Sequence, residues 1–238
     1  MKIAAVIQGP TMKEALEDIS VADSLDVNLI ELRLDTIEKP DLETLVGTKR
    51  FSKIATIRHQ SDGGLFTGMN TERIPYFRQA IELGADYVDI EYSHFADMEG
   101  VMRYAREQGK SIILSSHNLT MTPPDVDILR LHSAMAEEQP DMVKVVTYAT
   151  SRQDSMRMLE LLPGMASHIP TIAHCMGKYG TITRTNGYLN GSAITFAAIS
   201  EKRKSAEGQL TIAELQKLTG ASSGLPSMRH HPHHPPLR

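Results

Sequence analysis

The stretch Met142-Val143-Lys144-Val145-Val146-Thr147 is short, rich in valine and almost continuously apolar apart from one lysine. Such a run is typical of a parallel strand that is covered on both faces, since β-branched side chains suit a buried, pleated backbone. The segment before it, 125–138, places Ile128, Leu131 and Met135 at helical spacing, and another amphipathic segment follows it. The local order is therefore helix, buried strand, helix.

The same alternation runs along the whole chain. Eight apolar runs are predicted as strands, at 2–8, 29–35, 53–58, 87–92, 111–116, 142–147, 170–176 and 192–199. Helices are predicted at 12–25, 73–83, 98–108, 125–138, 156–162 and 212–218, and Pro163-Gly164 is expected to end the fifth of them. The segment 177–191, rich in Thr and Gly, predicts no clear element.

A strand about every 30 residues with a helix between matches the repeating unit of a (β/α)8 barrel. An open doubly wound sheet is the alternative, but no glycine-rich phosphate-binding turn follows the first predicted strand. We therefore predict one α/β domain, a (β/α)8 TIM barrel over residues 1–220. Residues 221–238 are rich in Ser, Pro and His without hydrophobic periodicity, and are predicted to be a disordered tail rather than a metal site.

Composition excludes several classes of partner. A formal net charge of -4 gives no basic surface for nucleic acid, and no apolar run reaches the roughly 20 residues that span a bilayer. With Cys175 as the only cysteine, an internal disulfide is impossible, which fits a reducing compartment. We expect a cytoplasmic, enzyme-sized domain that binds neither nucleic acid nor membrane.

Ionisable groups collect where the predicted strands end, and in such a barrel the active site lies at that face. Six strands contribute: Glu31, Arg33 and Asp35; Arg58; Asp89 and Glu91; Ser115 and His117; Lys144; His174. Lys144 is the least ordinary, because an unpaired ammonium is costly to bury. It could simply reach the rim or pair with a carboxylate. Beside cations such as Arg33 or Arg58, its neutral amine would instead be favoured, and that form attacks ketones.

His117 lies on the strand next to Lys144. A histidine there could move a proton beside an imine, although a hydrogen-bonded structural role is the simpler alternative. Asp62, Asp89 or Glu91 could set its tautomer. His174 and Cys175 are interpreted as core residues.

The arginines Arg33, Arg58 and Arg184 suit an anionic substrate, because a guanidinium binds a carboxylate through two hydrogen bonds, although rim salt bridges are the alternative. Glu31 is suited to holding substrate hydroxyls. Segment 201–210 is polar and follows the last predicted strand, so it is either a lid or a solvated connector.

Several motifs, in this order and spacing, resemble those of type I 3-dehydroquinate dehydratases. They are Glu31-Leu32-Arg33-Leu34-Asp35, Thr56-Ile57-Arg58, Ser115-Ser116-His117-Asn118, Val143-Lys144-Val145, Gly191-Ser192-Ala193-Ile194-Thr195-Phe196 and Ser205-Ala206-Glu207-Gly208-Gln209. The resemblance covers residues 2–218. It implies a homodimeric barrel enzyme of the shikimate pathway that converts 3-dehydroquinate to 3-dehydroshikimate and water without a metal or organic cofactor.

The resemblance also implies roles for individual residues. Lys144 would form the imine and His117 would be the general acid and base. Other substrate-binding positions would be Glu31, Arg33 and Arg58 around the ring hydroxyls, and Arg184, Ser205 and Gln209 around the carboxylate. Two residues depart from the family pattern. Asp62 is at a position expected to contact His117 or the substrate, where the family usually has glutamate. Glu207 replaces a proline of the lid. We expect Glu207 to make the lid more flexible and more negative.

Two alternatives remain at this stage. Another imine-forming barrel enzyme, such as a class I aldolase or related lyase, would need the same lysine. A catalytically inactive barrel that only binds a ligand would hold Lys144 protonated in an ion pair and would not be trapped covalently by substrate.

Overall fold

The computed structural model describes residues 2–25, 27–48 and 50–220, and within them eight strands alternate with eight α-helices. The strands are β1 (Lys2–Ile7), β2 (Leu29–Arg33), β3 (Ser52–Thr56), β4 (Tyr87–Glu91), β5 (Ser111–His117), β6 (Met142–Tyr148), β7 (Thr171–Met176) and β8 (Ile194–Ala198). The helices are α1 (Met12–Ser24), α2 (Leu42–Val46), α3 (Asn70–Glu82), α4 (Phe95–Glu107), α5 (Asp125–Glu137), α6 (Arg152–Ala166), α7 (Thr181–Asn186) and α8 (Ile212–Thr219). The tail predicted at 221–238 lies outside the described residues.

The strands form one parallel sheet in the order β7-β6-β5-β4-β3-β2-β1-β8. Strands β7 and β8 are joined at the remaining seam by the isolated bridge between Thr171 and Ser192, so the barrel is nearly closed. The predicted single-domain (β/α)8 barrel is confirmed. None of the helices in the described part of the chain is long and apolar enough to cross a membrane.

The inside of the barrel has an apolar layer beneath a polar one. Apolar side chains from six strands form a separate cluster in the interior: Ala4, Val6, Leu29, Ile54, Ile113, Ile172, Ile194 and Phe196. Because side chains alternate between the two faces of a strand, the residue two positions further along also points inward. At four strands that next residue is polar, namely Glu31, Thr56, Ser115 and His174. The polar layer therefore forms at the carboxyl ends of the strands, above the apolar interior cluster.

Three features of the helices differ from prediction. Two short helices, α2 and α7, were not predicted, since neither is long enough to show a hydrophobic period. Helix α7 is tied to β7 through the Thr183 hydroxyl, which accepts a hydrogen bond from the Cys175 amide at 2.8 Å. The predicted end of a helix at Pro163-Gly164 was wrong, because α6 continues to Ala166 and buries Met165 in the last turn.

A buried ion pair fastens α3 to the polar end of the barrel. Arg73 and Glu91 are both fully buried, and Nη1 of Arg73 lies 2.7 Å from Oε2 of Glu91. The same Nη1 donates to the carbonyl of Ile57, and Glu91 also accepts the amide of His59. The pair thereby holds the loop that follows β3 against β4.

We predict that Arg73→Leu destabilises the fold by about 3 kcal/mol or more, because the Glu91 carboxylate stays buried and loses its closest counter-ion, keeping only Arg58 at 3.6 Å. The matched control is Arg78→Leu on the same helix, where an exposed arginine lies 5.0 Å from the Tyr104 ring centre. Its cost should stay below about 1 kcal/mol. Urea unfolding followed by circular dichroism measures both, and equal losses would contradict the assignment.

Candidate active site

A cavity of about 430 Å³ opens at the carboxyl ends of the strands. All nine residues predicted from the sequence as site residues line it: Lys144, His117, Glu31, Arg33, Arg58, Asp62, Arg184, Ser205 and Gln209. They come from β2, β5, β6, the loops after β3 and β8, and helix α7. The barrel therefore brings together residues that are up to 178 positions apart in the sequence, from Glu31 to Gln209.

The Lys144 amine is held by carboxylates on the floor of this cavity. Its Nζ lies 2.9 Å from Oδ2 of Asp89 and 3.8 Å from Oε1 of Glu31. On another side it lies 4.2 Å from the ring centre of Phe196, a cation–π distance. Of the two interpretations of Lys144, the structure shows the lysine paired with a carboxylate, and Arg58 lies beside it on the same Asp89. The valine neighbours of Lys144 in the sequence point out to the helices, whereas the lysine points into the polar layer.

Asp89 is the hub of this polar layer. The carboxylate is fully buried, and its Oδ1 lies 2.6 Å from Nη2 of Arg58 and accepts the Ser115 hydroxyl at 2.6 Å. Although burial opposes ionisation, Arg58 and then Lys144 hold the pKa of Asp89 well below its usual range. The Asp89 charge is thus shared between two cations, which loosens its hold on the Lys144 ammonium.

His117 stands in the wall next to Lys144 and is held as a neutral imidazole. Burial first, and then the charges of Arg58 and Lys144, lower the pKa of His117 well below its ordinary value. Its Nδ1 is buried, and it finds no hydrogen-bond partner within the described ranges. Such an imidazole is ready to accept a proton.

Asp62 is the carboxylate that faces His117. Its Oδ1 lies 3.9 Å from Nδ1 of His117, beyond hydrogen-bonding distance, while its Oδ2 accepts the hydroxyls of Ser61 and Ser93 at 2.9 Å each. Of the other two sequence candidates for orienting His117, Asp89 is bound to Arg58 and Lys144, and Glu91 is bound to Arg73. The shorter aspartate stops short of the imidazole.

The three arginines of the site differ in whether their guanidinium groups have hydrogen-bond or ion-pair partners. Arg33 makes two hydrogen bonds to Asp35, at 2.9 and 2.8 Å, and Arg58 is bound by Asp89. For Arg184, in contrast, none of the described residues forms a hydrogen bond or ion pair with the guanidinium, and its Nε is buried. Burial lowers the pKa of Arg184 to about 10, so the group keeps its charge at neutral pH. Of these three arginines, Arg184 is therefore the one that is open to an anion.

The segment after β8, proposed above as either a lid or a connector, lines the cavity from Lys202 to Ala206 and again at Gln209. Gln209 accepts both the amide and the hydroxyl of Ser205 on its Oε1, at 2.7 and 3.1 Å, which closes a tight loop. Glu207, expected to loosen this loop, accepts the Tyr148 hydroxyl at 2.8 Å, and its carbonyl accepts the Gly177 amide. Gly208 adopts φ +81°, and a side chain there would collide with the Gly177 carbonyl oxygen.

Among the cavity-wall residues that the sequence interpretation did not assign to the site, His174 and Phe196 lie beside the predicted groups. His174 was taken as core, yet it lines the cavity, whereas its neighbour Cys175 is buried as expected. The signal that would have found it is the period of two from Ile172, which lies in the interior cluster. As for metals, no three His, Cys, Asp or Glu side chains in residues 2–25, 27–48 and 50–220 are grouped to hold an ion.

Comparison with known proteins places the chain in a family. A model of the type I 3-dehydroquinase family matches residues 3–226. The 3-dehydroquinate dehydratase of Pyrococcus abyssi is 35% identical over 214 residues, covering 90% of this chain and 95% of that protein. The 3-dehydroquinate dehydratase of Desulfotalea psychrophila is 30% identical over 217 residues, with the same coverage of both chains.

Solved structures agree with the sequence matches. The crystal structure of 3-dehydroquinate dehydratase from Geobacillus kaustophilus superimposes with a TM-score of 0.84 at 25% identity, covering 92% of this chain and 90% of that chain. Fold, motifs and relatives therefore agree, and the chain belongs to the type I 3-dehydroquinase family.

Proposed function

We propose that the protein is a 3-dehydroquinate dehydratase, a hydro-lyase of the shikimate pathway, and that it works through an imine between Lys144 and the substrate ketone. The observation that carries the proposal is a buried lysine amine that faces a cavity beside a neutral histidine, His117, and an unpaired guanidinium, Arg184. A nucleophile, a base and an anion-binding group are what this chemistry requires.

The first step would form the imine. In the resting protein Lys144 is an ammonium paired with Asp89, so it must release a proton before its nitrogen can attack. The neutral His117 can take that proton and return it to the carbonyl oxygen as the carbon–nitrogen bond forms. The oxygen then leaves as water. In total, one ammonium and one ketone give one protonated imine and one water.

The second step would be the elimination. The protonated imine draws electrons from the neighbouring carbon, C2, so that His117 can remove a proton there and leave an enamine. The enamine electrons expel the hydroxyl on C1, which takes the same proton from His117 and leaves as water. Hydrolysis of the conjugated imine consumes one water, releases 3-dehydroshikimate and restores the Lys144 ammonium. The net reaction loses one water.

The other site residues would bind and orient the substrate. Arg184 suits the substrate carboxylate, since its charge has no counter-ion among the described residues, and Ser205 and Gln209 would close the lid over it. Glu31, Arg33, Arg58 and Asp62 line the opposite part of the cavity and are suited to the ring hydroxyls.

We also propose that the protein is a cytoplasmic homodimer. The support for a dimer is the resemblance to the family, together with exposed apolar side chains on neighbouring helices: Met156 on α6, Ile182 on α7 and Leu218 on α8. A second copy would cover such a face. The support for the cytoplasm is the single, buried cysteine and the biosynthetic role of the proposed reaction.

We predict that borohydride traps 3-dehydroquinate on Lys144, because reduction fixes the imine as a stable amine. Peptide mapping by mass spectrometry should place the adduct on Lys144. Lys144→Ala should abolish adduct and turnover, whereas Lys178→Ala, which removes an exposed lysine after β7, should keep both. His117→Ala should still form adduct slowly, but turnover should fall on the order of 10²- to 10⁴-fold with the loss of the acid and base.

The same experiment separates the proposal from its alternatives. An adduct that forms without production of 3-dehydroshikimate would indicate another imine-forming lyase or aldolase. No adduct, in a folded protein that binds the substrate, would indicate an inactive binding barrel.

We predict that the acid limb of the kcat/KM profile lies below pH 6.5, the ordinary pKa of histidine being about 6.5. The pKa of His117 is lowered, so its neutral, proton-accepting form persists as the pH falls, and activity is lost only below the lowered pKa. The substrate carboxylate titrates near about 3.5 and does not contribute in this range. Rates measured from pH 5 to 9 test this, and a half-maximal point above pH 6.5 would contradict it.

A further inference from the structure

His174 is a buried, titratable side chain in the cavity that the reaction above does not use. It lies in the middle of β7, is 8% exposed, and points inward two positions after Ile172 of the interior apolar cluster. Its Cα pairs with that of Val146, another residue of the cavity wall. Across residues 2–25, 27–48 and 50–220, no side chain or backbone group hydrogen-bonds its imidazole. The ring is therefore directed at whatever fills the cavity.

Packing alone does not explain this histidine. The ring nitrogens of His174 make no hydrogen bond within the described residues and are not sealed from the cavity, so an imidazole here offers a polar contact that an apolar side chain of similar volume would not. The other well-buried histidine of the described chain, His132, follows the usual rule, since its Nε2 lies 2.9 Å from the Thr171 hydroxyl. Unlike His132, His174 has a ring N–H that no group of the described residues uses, and this N–H is free to donate to a ligand.

The charges around His174 define the ligand that it suits. Arg184 and Lys144 are close enough to act on it, and burial together with these two cations lowers the pKa of His174 well below its ordinary value. The imidazole is consequently neutral at pH 7, with one N–H to donate. Arg184 likewise has no partner among the described residues. Two unsatisfied donors, one of them charged, therefore share one part of the cavity, and the group that satisfies both is an anion with several acceptor oxygens.

We propose that His174 joins the carboxylate subsite that the family resemblance assigns to Arg184, Ser205 and Gln209, with the His174 N–H donating to one carboxylate oxygen while the Arg184 guanidinium supplies the charge. This inference rests on the proposed function and makes His174 a specificity-determining residue that selects a ring carboxylate. It places the carboxylate on the β7 side of the cavity. The ring hydroxyls then face the β2 and β3 side.

The test uses quinate, which has the same ring carboxylate but a hydroxyl in place of the C3 ketone, so that binding is measured without imine formation. Calorimetric titration gives its Kd, and the primary amide of quinate is the uncharged comparison. We expect His174→Leu to weaken quinate about 10-fold or more, the usual loss for a hydrogen bond to a charged group. The amide should bind wild type and variant within about 3-fold of each other, because a neutral amide gains much less from that donor.

Two further variants separate recognition from packing. His174→Gln keeps an N–H donor and should bind quinate within about 3-fold of wild type. His132→Leu is the matched control, a buried histidine-to-leucine change outside the cavity, and it should leave the quinate affinity unchanged even where it lowers the melting temperature. Should His174→Leu fail to fold, His174→Phe takes its place in the same comparison.

The outcomes distinguish this inference from the proposed function. An unchanged quinate Kd in His174→Leu, or an equal loss for quinate and its amide, would overturn the carboxylate subsite while borohydride trapping on Lys144 left the reaction intact. A folded wild type that neither binds quinate nor is trapped by 3-dehydroquinate would overturn both.

Discussion

The carboxylate of Asp89 connects four strands of the barrel at a point from which water is excluded. Arg58 reaches it from the end of β3, Ser115 from β5 and Lys144 from β6, with distances of 2.6, 2.6 and 2.9 Å. None of these charges is tolerable alone in the interior, because an unpaired buried ion costs several kcal/mol. Each one therefore depends on the others. The position of the Lys144 amine, and with it the site, follows from that mutual dependence.

The network divides the cavity into a satisfied part and an unsatisfied part. On the β2 and β3 side, Arg33 and Arg58 already have carboxylate partners, so they orient a ligand without competing strongly for an anion. On the β7 side, the guanidinium of Arg184 has no partner among the described residues, and His174 faces the same cavity. A substrate that carries hydroxyls at one end and a carboxylate at the other matches this division. We propose that this asymmetry gives the substrate one favourable orientation, with its ketone over Lys144.

The lid is held by contacts that differ in strength and position. Arg203 donates to Asp18 and Glu14 of α1 at 3.0 and 3.2 Å, and Gln8 donates to the Arg203 carbonyl. At the other end of the lid Glu207 accepts the Tyr148 hydroxyl. A carboxylate at this position therefore acts as an anchor for the lid over β6, in addition to adding negative charge. The Tyr148–Glu207 contact is exposed and worth about 1 kcal/mol or less, whereas the Arg203–Asp18 pair is shielded from solvent because Asp18 is buried.

The sequence by itself determined the barrel, the face on which the site lies and nine of the residues that line it. Apolar runs and helical periods are local properties, and a parallel barrel converts strand ends into neighbours whatever the details. Motifs in order and spacing then indicated the family. Only the tertiary structure decided which charges are paired. Lys144 proved to be paired rather than surrounded by apolar groups, Arg184 proved to be the open cation, and His174 proved to face the cavity. Pairing depends on distances of a few ångströms between residues on different strands, and no local pattern in the sequence records them.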